Sequence, residues 1–226
     1  MYARLLKRVI DFTLSLLALL TLSPVLLVLI VVGALKMKGN PFFTQLRPGK
    51  NERIFRLIKF RSMTCEKDKY GNLLPDKMRL TQYGKFLRAS SLDELPELIN
   101  ILVGDMSIVG PRPQLVRDMV FMTAEQRRRH SVAPGLTGLA QVNGRNNITW
   151  EQKFEYDLAY IDDGITFWKD VKIILQTVGK VFKQSDTVRE GTVSDLDFGD
   201  YLLEKGEILE SEYTARQVEA AQLMEI

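Results

Sequence analysis

The run FTLSLLALLTLSPVLLVLIVVGAL, residues 12–35, holds 24 consecutive residues without a charge. As a straight helix it would measure about 36 Å, against a bilayer hydrocarbon core of about 30 Å. It is too long and too uniformly apolar for a core helix of a soluble domain. A cleaved signal peptide has a shorter apolar region followed by a small-residue cleavage site, and neither holds here. The chain is therefore expected to be embedded in a membrane. Two details argue against a plain crossing. Pro24, preceded by Ser23, sits at the midpoint, where proline removes a helical hydrogen bond. Both flanks are basic, with Arg4, Lys7 and Arg8 before the run and Lys36 and Lys38 after it. Positive charge marks the cytoplasmic side, so both ends read as cytoplasmic. A re-entrant helix broken at Ser23-Pro24, entering and leaving by one face, satisfies both observations; a kinked spanning helix is the alternative.

No second long apolar run follows, so the rest must fold on one side of the membrane. This divides the chain into a membrane helix (1–36), a single catalytic-sized domain (37–185) and an extension (186–226). Charge separates the last two. The extension has 11 acidic and 3 basic residues, whereas residues 1–185 have 28 basic and 17 acidic. A basic body suits an anionic partner: nucleic acid, a lipid surface or a phosphorylated substrate. The acidic tail reads as peripheral or partly flexible and is assigned no chemistry. With one cysteine (Cys65) and one histidine (His130), the chain can form neither an intrachain disulfide nor a His-rich metal site. Acid–base or metal chemistry must use carboxylates, lysines and arginines, and a metal held by oxygen would be a hard one such as Mg²⁺.

Along the domain, residues 41–63 alternate as a β-hairpin with its turn at Arg47-Pro48-Gly49-Lys50-Asn51. Residues 66–80 are polar with Gly and Pro, and read as a mobile loop. Helices are expected over 81–89 and 91–103, Pro96 distorting the start of the second. Ser91 and Glu94 have capping-box spacing. GPRPQL (110–115) is a rigid turn leading into a helix. Thr123-x-x-Gln126 and Thr149-x-x-Gln152 open two more helices, with a Gly/Asn-rich loop (133–147) between them. Arg127-Arg128-Arg129 is a helix-end charge run, and little else fits a nucleic-acid surface. Residues 166–184 form an amphipathic helix with Phe167, Trp168, Val171, Ile174, Leu175, Val178, Val181 and Phe182 on one side. Core packing is the favoured fate of that face, and the membrane interface the alternative.

The adjacent carboxylates Asp93 and Glu94 suit the first turn of any helix. They also share a basic, membrane-bound domain with an arginine held between prolines (Arg112) and a loop carrying Arg145. Arginine matches phosphate oxygens, and a carboxylate can act as a nucleophile on phosphorus. The pieces RVIDFTLSLLALLTLSPVLL, PFFTQLRPGKNERIFRLIKFRSM, SLDELPEL, MSIVGPRP and APGLTGLAQVNGRNNITW occur in this order. In that order they resemble the small monotopic phosphoglycosyl transferases of the bacterial sugar transferase family, from about residue 2 to 183.

The resemblance implies an α+β, mainly helical fold: a re-entrant membrane helix, interfacial helices and a small cytoplasmic domain with a short hairpin. It implies transfer of a phosphosugar from a UDP-sugar to a polyprenyl (undecaprenyl) phosphate, releasing UMP, at the cytoplasmic face of the bacterial inner membrane. It maps the covalent nucleophile to Asp93 and Mg²⁺ binding to Asp93 and Glu94. Phosphate binding maps to Arg112, and more weakly to Lys59, Arg61, Arg88 and Arg145, for which surface ion pairs are the alternative. Competing readings are a Mg²⁺-dependent lipid phosphatase, which needs no nucleotide, and a non-catalytic basic scaffold. The 166–184 helix and the tail are the surfaces by which a homodimer could form.

Overall fold

The computed structural model describes residues 2–144, 147–183 and 196–225. The apolar run forms helix α1 (Lys7–Met37), preceded by a wide turn at Tyr2–Leu6. It is the one described helix long and apolar enough to cross a membrane. The backbone is not interrupted at the expected break: it stays helical through Ser23-Pro24, so any turn of the chain there is a bend within one helix. A side chain explains how. Proline cannot donate to the carbonyl of Leu20, and the Ser23 hydroxyl donates to it instead at 2.8 Å. Thr21 donates similarly to Leu17 O at 2.8 Å.

The hairpin follows as read, with β1 (Phe42–Pro48) antiparallel to β2 (Ile54–Phe60). The 66–80 segment has internal order: two isolated β-bridges and helix α2 (Asp76–Arg79), with Arg79 donating to Leu74 O at 2.7 Å. Helix α3 (Gln82–Ala89) is capped by Thr81. The helix expected from residue 91 splits. Ser91 is left-handed (φ 55°), Leu92–Glu94 make a 3-10 turn, and α4 (Glu97–Val103) starts only after Pro96. Pro96 thus displaces the helix start, and the Ser91–Glu94 capping box does not form: the Ser91 side chain accepts no capping bond.

Next come β3 (Ser107–Val109), α5 (Val116–Met119), α6 (Ala124–Arg127) and β4 (Gly135–Thr137). Strands β3 and β4 pair in parallel, so the expected Gly/Asn loop begins as a strand and continues as α7 (Leu139–Val142). Helix α8 (Trp150–Asp162) has the reciprocal capping box expected at Thr149 and Gln152, as α6 has at Thr123 and Gln126. Helix α9 (Phe167–Lys183) departs in part from the favoured reading. Ile173 is buried and Val171 and Ile174 are half-buried, as that reading expects, but Phe167, Trp168 and Leu175 are exposed, Trp168 at 75%. Val181 and Phe182 lie outside the described side chains.

The tail is not peripheral where it is described. Helices α10 (Phe198–Glu204) and α11 (Glu210–Leu223) pack on the domain, burying Phe198 against Met122, Trp150 and Phe154, and Ala220 against Val116, Met119 and Val120.

Helix α1 is bound to the domain along its length. At its start Arg8 donates to the C-terminal carbonyls Ile101 and Leu102 of α4, a position that favours a cation. Asp11 accepts from Ser107 Oγ at 2.7 Å and from Ile108 N at 3.1 Å, tying α1 to β3. Ala18, Leu19 and Leu22 pack on the core of Phe55, Leu57, Leu98, Ile101 and Met106. Farther along, Leu29 packs with Phe60 and Leu87, and Tyr83 donates to Leu29 O at 2.9 Å. Leu20, Leu27, Val28 and Leu35 turn outward, each more than half exposed.

Candidate active site

Asp93 and Glu94 sit on the 3-10 turn between α3 and α4. Glu94 is buried and Asp93 partly so. Helix α4 is set on the hairpin by buried Asn100, which accepts from Ile58 N (3.1 Å) and donates to Arg56 O (2.9 Å). This docking places Lys59, next along β2, against the carboxylates. Lys59 Nζ lies 3.1 Å from Glu94 Oε1 and 3.0 Å from Glu97 Oε1. Arg112 donates to Glu94 Oε1 from the other side at 2.7 Å.

Glu97 was missing from the sequence reading, although its signal was there. It lies three residues after Glu94 and four after Asp93, which puts the carboxylates on one face. It is 2% exposed. Burial pushes its carboxyl up, opposed by Lys59. Burial also raises the Asp93 carboxyl, and the charge of Glu94 raises it further, against the pull of Lys59, Arg88 and Arg112.

The Arg112 turn is held through its backbone. Prolines on both sides bring no N–H, so its carbonyls do the work. Pro111 O accepts from Gly135 N (2.9 Å), Arg112 O from Arg129 Nη2 (2.6 Å) and Pro113 O from Arg47 Nη1 (3.3 Å). Gly110 and Gly135 permit the close approach: a Cβ on Gly135 would lie 2.1 Å from Gly110 N. Three elements fix the backbone, and the Arg112 guanidinium, about a third exposed, is left to face the carboxylates.

Arg129 is buried in an ion pair with Asp157 (2.6 Å), so one arginine of the charge run is an internal strut. Arg127 pairs with Glu52, and Arg128 with Glu125 and Asp162.

Of the sequence candidates, Asp93, Glu94, Lys59 and Arg112 converge. Arg88 acts on Asp93 electrostatically and donates to Ser62 Oγ at 3.0 Å. Arg61 takes no part in the carboxylate ion pairs among the described residues; its guanidinium donates to Cys65 Sγ at 3.3 Å. Arg145 lies outside the described residues.

A cavity of about 250 Å³ adjoins this cluster, with Ser91, Glu94 and Arg112 in its lining. Its walls are largely apolar, from Leu95, Leu98, Ile108, Leu136 and Val142, and α9 closes it with Ile174, Thr177, Val178 and Lys180. Charged groups in a mostly apolar lining suit an amphiphile with an anionic head.

The family model for bacterial sugar transferases matches residues 2–184, which include every residue of this cluster and cavity. The chain belongs to the bacterial sugar transferase family. "Uncharacterized sugar transferase EpsL" of Bacillus subtilis is 50% identical over 177 residues, covering 78% of this chain and 87% of that protein. The UDP-glucose:undecaprenyl-phosphate glucose-1-phosphate transferase of Klebsiella pneumoniae is 42% identical over 186 residues, covering 78% of this chain and 40% of that protein. Galactosyl transferase CpsE of Streptococcus agalactiae is 39% identical over 187 residues, covering 76% and 41%. This sugar transferase therefore matches less than half the length of those two larger relatives. Helices α10 and α11 lie beyond the family match.

As for a metal, no group of three or more His, Cys, Asp or Glu side chains able to hold an ion occurs among the described residues. The donor set is instead two hard carboxylates, Asp93 and Glu94, side by side and repelling one another. That fits Mg²⁺ in its usual mode, one or two carboxylates with the remaining positions taken by substrate phosphates and water.

Proposed function

We propose that this sugar transferase moves a phosphosugar from a UDP-sugar to a polyprenyl phosphate at the cytoplasmic membrane face, through a covalent Asp93 intermediate. The observation that carries the reading is the joining of two unlike surfaces at one point. The Asp93–Glu94 pair with Lys59 and Arg112 supplies phosphate chemistry, and the adjoining apolar cavity suits a lipid phosphate. The names of the Klebsiella and Streptococcus relatives support the same reaction class.

In this mechanism an Asp93 carboxylate oxygen attacks the sugar-bearing phosphorus of the UDP-sugar. The bond from that phosphorus to the bridging oxygen breaks, and UMP leaves with the oxygen and its electron pair. Arg112 and Lys59 are already in place to exchange part of their pairing with Glu94 for phosphate oxygens, stabilising the charge that builds there. Mg²⁺, held by Asp93 and Glu94, would lower the repulsion between an anionic nucleophile and an anionic substrate. The acceptor phosphate, its chain in the cavity, then attacks the phosphorus on Asp93; this gives the polyprenyl-diphosphate-sugar and frees the carboxylate.

The re-entrant topology belongs to this proposal. The domain contacts one side of α1 at Arg8 and Asp11, at Leu19 and Leu22, and again at Leu29, so both halves of the helix stay beside the same domain, which supports entry and exit by one face. The outward leucines of α1 and the outward Phe167, Trp168 and Leu175 of α9 would both meet lipid. Labelling of single cysteines at both ends of α1 in intact cells tests this; one end reacting from outside would reject it.

The activity test is UMP release from a panel of UDP-sugars with polyprenyl phosphate. Asp93→Asn should remove both turnover and trapping of labelled phosphosugar. Turnover retained by that variant, or lipid phosphate hydrolysis needing no nucleotide, would reject the reading.

A further inference from the structure

We propose that the C-terminal helical pair, which lies beyond the family match, is a positioning element for Arg112. This rests on the reading of Arg112 as a phosphate ligand. The link runs through Asp118 of α5, a carboxylate 2% exposed. Its Oδ2 accepts from Leu115 N at 3.0 Å, two residues past the Pro-Arg-Pro turn, and its Oδ1 accepts from Phe198 N at 2.9 Å. One buried carboxylate therefore joins the exit of the Arg112 turn to the first residue of α10. The Phe198 ring, 4% exposed, anchors that residue against Trp150 and Phe154. Trp150 Nε1 donates to Leu196 O at 3.2 Å, and Arg117 pairs with Asp197.

The tail reaches the turn by a second route. Arg47, which supplies the donor to Pro113 O, lies on β1. Leu46 beside it and Ile54 of β2 pack on the cluster formed by α5 and Ala220 of α11. The tail thus presses together the two elements, hairpin and α5, that hold the far side of the turn. Substituting Phe198 keeps its backbone N–H but removes the ring that seats it, so the hydrogen bond to buried Asp118 is weakened and the α5 end of the turn loosens.

The experiment uses the full-length membrane-embedded protein, with KM and kcat for UDP-sugar from UMP release and UDP-sugar affinity by titration calorimetry. Phe198→Ala should raise KM and Kd together by roughly two- to tenfold, with one full hydrogen bond as the ceiling for a weakened one, and with a smaller change in kcat. In an Arg112→Lys background the same substitution should change KM less than twofold, since the group being positioned is gone. Lys205→Ala, which removes surface contacts with Glu151, Glu207 and the Tyr201 ring, should match wild type. Equal effects of Phe198→Ala in both backgrounds, or an unchanged KM, would overturn the proposal. If the alanine variant does not accumulate, Phe198→Leu is read in the same way. A wild-type chain that releases no UMP from any UDP-sugar would fail the proposed function itself; an active chain with additive variants would fail only the positioning role.

Discussion

Replacing Lys59 with methionine removes the cation shared by Glu94 and Glu97 while keeping most of its volume. Glu94 retains Arg112, but Glu97, 2% exposed, loses its only ion-pair partner among the described residues. Breaking a buried pair by deleting one partner typically costs about 3–5 kcal/mol. Protonation of the orphaned carboxyl caps that cost. From an ordinary value of 4.5, the ceiling is about 4 kcal/mol at pH 7.5 and about 1.4 kcal/mol at pH 5.5, at about 1.36 kcal/mol per pH unit. The sign follows: a carboxyl raised in the folded state loses stability as pH climbs above its unfolded value. Because burial already raises Glu97 with Lys59 present, Lys59→Met should cost at most about 4 kcal/mol at pH 7.5 and less than about 1.5 at pH 5.5. Chemical denaturation in detergent micelles at both pH values measures this. Adding Glu97→Gln should restore most of the loss at pH 7.5. A deficit independent of pH, or no rescue by Glu97→Gln, would refute the reasoning.

Three more outcomes are expected. Because burial and Glu94 raise the Asp93 carboxyl and the nucleophile must be ionised, kcat/KM should fall on the acid side at a pH above the ordinary aspartate value of about 3.9; in Glu94→Gln the residual activity should show that limb moved lower, and an unmoved limb counts against the coupling. Ser23→Ala should cost about 1 kcal/mol by leaving Leu20 O without its donor, a fall of roughly 2–4 °C in the melting temperature that Ser23→Thr avoids. Burial, with Arg129 and Arg127 nearby and Glu52 opposing, pushes His130 down to about 4, so stability present above pH 6.5 should be lost as pH falls through 4, by up to about 3 kcal/mol; His130→Leu should flatten that part of the denaturation profile.

What the sequence revealed depended on how local the cause was. Alternation from Phe42 to Phe60 is enough to specify a hairpin, and Thr149 with Gln152 carries its own capping signal. The Asp93–Glu94 pair and Arg112 were found, through motif order, before their contacts were visible. The β3–β4 pairing was missed because each strand has three residues and their meeting depends on glycines 25 positions apart, Gly110 and Gly135. Ser91 was misread because its spacing to Glu94 suits a cap, whereas the junction between α3 and the 3-10 turn holds it in the left-handed region. Amphipathicity in α9 located an apolar face but could not say whether protein or lipid would cover it. The tail was misread because its anchors, Phe198 and Ala220, are thinly spread among acidic residues.

Asp11 has a practical consequence. Its carboxylate supplies acceptors to the strand that leads into the Pro-Arg-Pro turn, and Arg8 closes the end of α4. The anchor is thus a structural member of the globular unit rather than a leash. Cutting it away to obtain a water-soluble fragment for screening would expose the Leu98–Met106 core and strip β3 of its partner. Inhibitors against such a chain are best sought with the amphiphile present from the start, because α1 packs on the same core that supplies Leu98 to the pocket wall.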